Sequence, residues 1–290
     1  MTPGAVPAVM VLLAPTHRPA ALAAAGRALA WLSSQGLTVR LEPATALALD
    51  CAPTPETDLY PGADLAVVFG GDGSVVSAGR AAAAHGVPVI GVNFGTFGFL
   101  TEIDAEQLEP SLAALCQGRY AVDARLMLAA RLADDGPSLL AANDVAVKAT
   151  DPGRVLELRV SLDDDLIAEF PADGLLVATP TGSTAYNLSA GGPVVMPEVP
   201  ALVLAPICPH TLATRPLVLS AAARLKIEVI DVPRMSHTAI VSLDGQVHHE
   251  LGCGVSLHVA RAATELRLAR LHQGAFFRSL RGKLGWGLPK

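Results

Sequence analysis

The segment Asp64 to Ser74, DLAVVFGGDGS, restricts the possible folds of this chain more than any other stretch. Five consecutive apolar residues, Leu65 to Phe69, run into Gly70, Gly71 and Gly73, the pattern of a buried strand ending in a tight turn. The run Val75 to Ala84 then reads as a helix, with Ser74 as its cap. Glycine lets backbone N–H groups approach a ligand and a helix N-terminus attracts anions, so strand, turn and helix together can cradle a phosphate. A plain connection in a doubly wound sheet uses the same glycines with Asp72 as a cap, and these few residues do not choose between the two.

The neighbouring segments extend the same architecture. Val6 to Leu13 reads as a first buried strand, and Leu22, Gly26, Leu29 and Leu32 recur at helical spacing until Gly36. A second strand, Leu37 to Leu41, follows, and Pro43 to Pro61, with four prolines and little periodicity, reads as a surface loop. After the glycine turn and its helix, Val87 to Val92 is a further strand, and Ala105 to Gln117 a further helix. Alternating strands and helices predict a mostly parallel sheet with flanking helices, whose ligands sit at the carboxyl ends of the strands. Both glycine-rich turns, after Phe69 and after Val92 (NFGTFGFL, Asn93 to Leu100), fall at such ends, and Phe97 and Phe99 are read as packing residues.

From Arg119 the pattern changes to short β-rich segments broken by turn signals. They are Arg125 to Leu132, Leu139 to Lys148, Val155 to Leu162 and Leu166 to Phe170, then Leu217 to Leu219, Leu225 to Val232, Thr238 to Leu243, Val255 to Val259 and Leu266 to Leu271. The acidic run Asp163 to Asp165 lacks the glycine and spaced ligands of a calcium loop and reads as a hairpin turn. A chain of 290 residues is long enough for two domains. The expected fold is therefore an α/β N-terminal domain followed by an all-β sandwich or a related antiparallel domain, with the boundary near residue 118.

The second half carries its own polar constellation. In DGLLVATPTGSTAYNLSAGGP, Asp173 to Pro193, a strand Leu175 to Ala178 leads into Thr179, Thr181, Gly182, Ser183 and Thr184, whose four hydroxyls suit a pocket floor. Ser183 or Thr184 is placed to cap a short helix through Ala185, Tyr186 and Asn187, which Gly191 and Gly192 end. Tyr186 offers a flat face with a polar tip, fit for stacking on a base. Asn143 and Asp144 sit inside a strand, where both are unfavourable; they suit a kink that binds a vicinal diol, and equally a turn or β-bulge. Arg154 follows Pro152-Gly153 and reads as a hairpin residue or a phosphate cation, and Asp244-Gly245-Gln246 is a hairpin-turn signal.

Composition removes several classes of function. The apolar fraction of 51% against 17% charged residues excludes a disordered chain. No apolar run approaches the roughly 18 residues of a membrane span, and no secretory leader pattern is visible, so a cytoplasmic protein is expected. A net charge of -6 predicts no general attraction to nucleic acid or anionic membranes. The four cysteines are widely spaced without CxxC, and the eight histidines form no HExxH, so no protein-built metal site is expected.

Taken together, these motifs resemble the NAD kinase family. GGDGS at Gly70 to Ser74, NxGxxGFL at Asn93 to Leu100, Asn143-Asp144 and the long block from Asp173 match in order, as do PICPHTLATRPLVL at Pro206 to Leu219, SLDGQ at Ser242 to Gln246 and KLGWG at Lys283 to Gly287. The resemblance spans nearly the whole chain, whereas GGDG alone is shared with lipid and sugar kinases of the wider superfamily. It implies transfer of the γ-phosphoryl group of ATP to the 2′-hydroxyl of the adenosine ribose of NAD, giving NADP. Asp72 would be the proton acceptor, and Gly71, Gly73 and Ser74 would hold the phosphate donor. Asn143 and Asp144 would bind ribose hydroxyls, while Asp173, Thr181, Thr184, Ala185, Tyr186, Asn187, Leu188 and Ser189 would contact the ends of the dinucleotide. Arg154 and Gln246 occupy further binding positions.

By the same resemblance, residues 1–118 form the phosphate-donor and catalytic domain, 119–273 the dinucleotide-binding sandwich, and 274–290 a tail returning to the first domain. Mg2+ or another divalent cation would arrive with ATP, and the protein would be a homodimer or homotetramer. Three departures stand out: Pro171 replaces a frequent basic residue, Phe97 replaces a frequent leucine, and Val147 to Thr150 differ from the common sequence. The competing readings are a lipid or sugar kinase of the same superfamily and a non-catalytic dinucleotide sensor.

Overall fold

The computed structural model describes residues 1–94, 98–150, 155–163, 165–211, 213–230, 239–272, 274–285 and 287. The chain forms two compact units, one of Met1–Ala124 with Leu266–Lys290 and the other of Arg125–Glu265.

In the first unit, the short strand β1 (Thr2–Pro3) precedes β2 (Val9–Leu13), α1 (Pro19–Ser34), β3 (Thr38–Leu41), α2 (Pro43–Ala48), α3 (Glu56–Leu59) and β4 (Leu65–Phe69). Then come α4 (Asp72–Ala83), β5 (Val89–Asn93), β6 (Thr101–Asp104), α5 (Leu108–Cys116) and β7 (Ala121–Leu132), within which the chain passes to the second unit. Strands β3, β2, β4, β5 and β6 pair in that order, all parallel. β4 is buried at all five positions, as its unbroken apolar run requires in a sheet covered on both faces. The core combines Met10, Leu12, Val67, Phe69, Ile90 and Val92 from the sheet with alanines and Leu32 of α1 and leucines of α5.

Two local expectations are corrected here. The proline-rich stretch is not a plain loop: Pro43 opens α2, with Glu42 accepting the Thr45 N–H at 2.9 Å, and Pro55 precedes α3. Proline is tolerated at a helix start because that N–H has no helical partner anyway. Ser74 is not the cap of α4, because the helix begins earlier, at Asp72, with Gly71 at the N-cap.

The second unit continues with β8 (Leu139–Ala141), β9 (Asp144–Ala149), β10 (Leu156–Leu162) and β11 (Asp165–Ala178), then the short helix α6 (Tyr186–Ser189). β12 (Ala201–Pro209), β13 (Leu217–Ser220), β14 (Leu225–Val229), β15 (Ala239–Leu243), β16 (Val247–Leu251) and β17 (Ser256–Arg270) complete it. β11 is one 14-residue strand where the sequence suggested two. Its first half pairs with β10, and its second half pairs with β9 on one side and β12 on the other. β11 thus serves two sheets: β13, β12, β11, β9, β15 and β16 in one, and β11, β10, β14 and β17 in the other. Alternate residues such as Val145, Val147, Leu156, Leu158, Leu175, Val177, Ile227 and Leu257 fill the core of the expected sandwich.

β17 carries the chain back into the first unit, where Leu268 pairs with Val89 in parallel, and α7 (Ala275–Leu284) follows. Among the described residues, no helix is long and apolar enough to cross a membrane.

Candidate functional site

In the first unit the site is built on the glycine turn between β4 and α4. A β-carbon on Gly70 would lie 2.5 Å from Ser74 Oγ, so the turn closes this tightly only with glycine. Asp72, the first residue of α4, points its carboxylate at the second glycine-rich turn. Oδ2 accepts the Phe99 N–H at 2.8 Å, and Oδ1 accepts those of Leu100 at 3.0 Å and Thr101 at 3.3 Å. Lys283 Nζ of α7 stands 3.3 Å from Oδ2. Gly98 is indispensable to this closeness, since a β-carbon there would fall 1.9 Å from Oδ1.

A buried ion network supports the same turn from behind. Arg270, almost wholly enclosed, donates to the carbonyls of Leu100 and Phe99 and to Glu102 Oε2 at 3.1 Å. Glu102 Oε1 in turn accepts the His272 N–H at 2.9 Å. Consecutive peptide groups thus present carbonyls to Arg270 and N–H groups to Asp72. Phe99 packs as expected, 6.0 Å from Phe276 between ring centres. Phe97 lies outside the described residues.

A cavity of about 710 Å3 opens in front of Asp72, lined also by Gly71, Asn93, Gly98, Arg18 and Lys283. Its cations and backbone donors suit phosphate oxygens. A second cavity, of about 610 Å3, is reached at Ser74 and is walled by Leu13, Pro15, Val68 and Ala78, with Tyr60 and His85 stacked at its edge. Burial, and then the Glu42 carboxylate, push the Tyr60 hydroxyl up to about 12, so it stays a neutral donor.

In the second unit Asn143 lies in the break between β8 and β9 and Asp144 is the first residue of β9, at the kink considered from the sequence. The Asp244 carboxylate holds it: Oδ2 accepts the Ala142 N–H at 3.0 Å, and Oδ1 accepts those of Asn143 at 2.7 Å and Asp144 at 3.2 Å. Asp244 and Gly245 both have positive φ, the signature of a type I′ hairpin turn between β15 and β16. On the other side, Thr179 donates its N–H to Asn143 O at 2.8 Å and its hydroxyl to Ala142 O at 2.7 Å. Gly182 lies so close that a β-carbon would meet Asn143 O at 2.0 Å. Small residues in the threonine-glycine block therefore allow backbone contact with the Asn-Asp break.

This arrangement perturbs the acid at its centre. Burial, and then the facing Asp244 carboxylate, raise Asp144 to about 7, with Lys148 acting in the opposite direction. Lys148 Nζ sits 5.2 Å from the Tyr186 ring centre. Burial also raises the Tyr186 hydroxyl, followed by Cys208, Asp144 and Asp173. Asp144, Asp173, Lys148 and Tyr186 thus lie within electrostatic reach of one another, with Asn143 next to Asp144 and buried Thr181 next to the Gly182 that packs on Asn143 O.

Other sequence-predicted residues fare differently. Asn187 is fully buried, and its Nδ2 donates to Ser183 O and Pro193 O, so it braces the block and offers no surface to a ligand. Ser183 and Thr184 are not helix caps; Ser183 Oγ is held by Pro180 O and by the Val195 N–H. Ala185, Leu188 and Ser189 lie on or beside α6, and Gln246 is exposed at the end of the β15–β16 turn. Arg154 lies outside the described residues.

Four residues given no role by the sequence stand in or against these groups. Lys283 was visible only as part of KLGWG, Asp244 only as a turn former within SLDGQ, and Lys148 only within the departing stretch Val147 to Thr150. His210, in PICPHTL, has Nε2 3.1 Å from Asp173 Oδ1, and its N–H donates to Pro171 O. A histidine therefore stands beside the position where a basic residue is frequent.

Comparison with known proteins shows the family and the fold. The family model for the ATP-NAD kinase N-terminal domain matches residues 53–120, and that for the ATP-NAD kinase C-terminal domain matches residues 142–271. The NAD kinase of Heliobacterium modesticaldum is 43% identical over 275 residues, covering 93% of this chain and 96% of the relative. That of Geotalea daltonii is 38% identical over 282 residues, covering 96% and 98%. A crystal structure of yeast NADH kinase complexed with NADH superposes with a TM-score of 0.87 at 25% identity, covering 100% of this chain and 90% of that one. An NAD kinase from Archaeoglobus fulgidus in complex with ATP has the same fold, with a TM-score of 0.75 at 24% identity over 96% and 98% of the two chains. With both domain models matched in order and curated relatives aligned over nearly the full length, the chain belongs to the NAD kinase family of phosphotransferases.

Proposed function

We propose that this protein transfers the γ-phosphoryl group of ATP to the 2′-hydroxyl of the adenosine ribose of NAD, forming NADP and ADP. The observation that carries the mechanism is Asp72, an ionisable group held by three backbone N–H groups at the edge of a cavity that Arg18 and Lys283 also line. The ribose oxygen attacks the γ-phosphorus, its proton passes to Asp72, and the bond from phosphorus to the bridging oxygen breaks with its electron pair leaving on ADP. Positioning and charge stabilisation supply most of the rate, so a fixed base and fixed donors are the requirement.

In this reading the first unit is the donor and catalytic domain. Gly71, Gly73 and Ser74 hold the phosphates, and the apolar-walled cavity beyond Ser74 supports a nucleoside at the far end of the donor. Among the described residues, no three His, Cys, Asp or Glu side chains gather as metal ligands. The donor set around the Asp72 cavity suits phosphate, and the divalent cation is part of the substrate, as MgATP. The second unit binds the dinucleotide, with Asn143 and Asp144 on ribose hydroxyls and Asp173, Thr181 and Tyr186 on its ends.

The reading includes a homo-oligomer in the cytoplasm. Exposed Val194, Met196, Val199, Leu217 and Val218 in the second unit support an interface between copies. Purified protein given MgATP and NAD, with an NADP-specific readout, tests the activity, and light scattering reads the oligomer. Asp72→Asn should keep the fold and NAD binding and lower turnover by about two to four orders of magnitude, the worth of a general base. Near-normal turnover in that variant would remove Asp72 from the role.

A further inference from the structure

An ionised carboxylate has about four lone-pair positions. Asp72 has all four engaged among the described residues: Leu100 and Thr101 on Oδ1, Phe99 and Lys283 on Oδ2. A base so occupied has no position left for a hydroxyl proton. Three of its donors are backbone N–H groups fixed in the 98–101 turn, whose carbonyls are themselves held by Arg270. The fourth is an ammonium on a flexible four-carbon stem, and it alone can leave without moving the backbone.

Lys283 is placed to leave toward the donor. One third of its side chain is open to solvent, and it lines the cavity that Gly71, Gly98 and Arg18 also line. The helix that carries it, α7, is anchored apart from the ion pair: Ser279 Oγ donates to Gly98 O at 2.8 Å, and Phe276 packs on Phe99. The ammonium also sits 5.4 Å from the Phe99 ring centre, a contact that steadies a cation in more than one position.

We propose that Lys283 recognises the terminal phosphoryl group of the donor, and that its transfer from Asp72 Oδ2 to that group frees the base only when the donor is present. A terminal phosphoryl group carries more negative charge than one carboxylate already satisfied by three N–H groups, so it competes well for the ammonium. The hydroxyl proton goes to the vacated Oδ2 position, and the ammonium stays on the transferred phosphoryl oxygens. The arrangement makes base activity conditional on the donor, and it rests on the phosphotransferase reading with Asp72 as proton acceptor.

The test is equilibrium binding of MgATP and MgADP to wild-type protein, Lys283→Met and Lys283→Arg by titration calorimetry, with turnover measured in parallel. Lys283→Met should weaken MgATP by about 10- to 100-fold, the worth of one charge-assisted contact, and change MgADP by less than about threefold. Its turnover should fall at least about tenfold, and Lys283→Arg should retain most of the preference for MgATP over MgADP. Unchanged affinities in Lys283→Met, or equal weakening of both nucleotides, would overturn the proposal. Binding without turnover does not require Asp72 to act as base, so failure of the base reading would appear in Asp72→Asn while the nucleotide preference persisted.

Discussion

Gly98→Ala perturbs the carboxylate of Asp72 without touching its chemistry. The new β-carbon would come 1.9 Å from Oδ1, 2.6 Å from Cγ and 2.6 Å from Thr101 Oγ1. Thr101 is not free to yield, because its hydroxyl oxygen accepts the Gly98 N–H at 3.0 Å. To reach an ordinary contact the carboxylate must withdraw by roughly 1.5 Å, which takes Oδ1 out of reach of Leu100 and Thr101; a misplacement of about 1 Å already costs about 100-fold. We expect kcat to fall by about 100- to 1,000-fold, with stability lowered by about 1–3 kcal/mol for the overpacking. An NADP-specific assay at saturating substrates reads the first, and thermal unfolding shows whether the variant is folded at assay temperature. A folded Gly98→Ala enzyme turning over within threefold of wild type would refute the claim that this close approach fixes the base.

Arg270→Met leaves Glu102 buried without its cation and releases the carbonyls behind the Asp72 turn; a loss of about 3–5 kcal/mol in urea unfolding is expected, and a loss below about 1 kcal/mol would contradict it. Asp144, raised from 3.8 to about 7 in the folded protein, binds its proton more tightly there than when unfolded. Its stabilising contribution is therefore complete below about pH 4 and lost as pH rises through about 7, so wild type should lose on the order of 3–4 kcal/mol relative to Asp144→Asn across that window. A pH-independent difference between the two would place Asp144 in a solvated setting. Asp244→Ala strands the N–H groups of residues 142–144 and should raise the KM for NAD at least about tenfold, whereas Asp244→Asn, which still fits the type I′ turn, should be milder. Equal kinetics for Asp244→Ala and wild type would show that the Asn-Asp break holds itself.

The legible part of the fold was its local part. The apolar run of β4 and the helical spacing of α1 report burial through periodicity, and periodicity needs only neighbouring residues. Prolines misled at residues 43–61 because one residue type both breaks helices and begins them. β11 was read as two strands because Pro171 and Asp173 look like strand ends, yet they lie where the strand changes sheets and partners.

The site divides in the same way. Asp72, the glycines around it and the Asn143-Asp144 pair carry their chemistry in adjacent residues, and the sequence alone marked them together with the family they signify. The groups that hold them in place were not marked. The donors to Asp72 come from residues 99–101 and from Lys283, the brace behind them is Arg270, and the clamp on Asn143 is Asp244. These contacts join residues 27 to 211 positions apart, and such pairings exist only once the sheet and the returning C-terminal helix have packed. Sequence therefore determined which residue is the candidate base; tertiary structure decided which groups immobilise it, and that one of them is a side chain able to move.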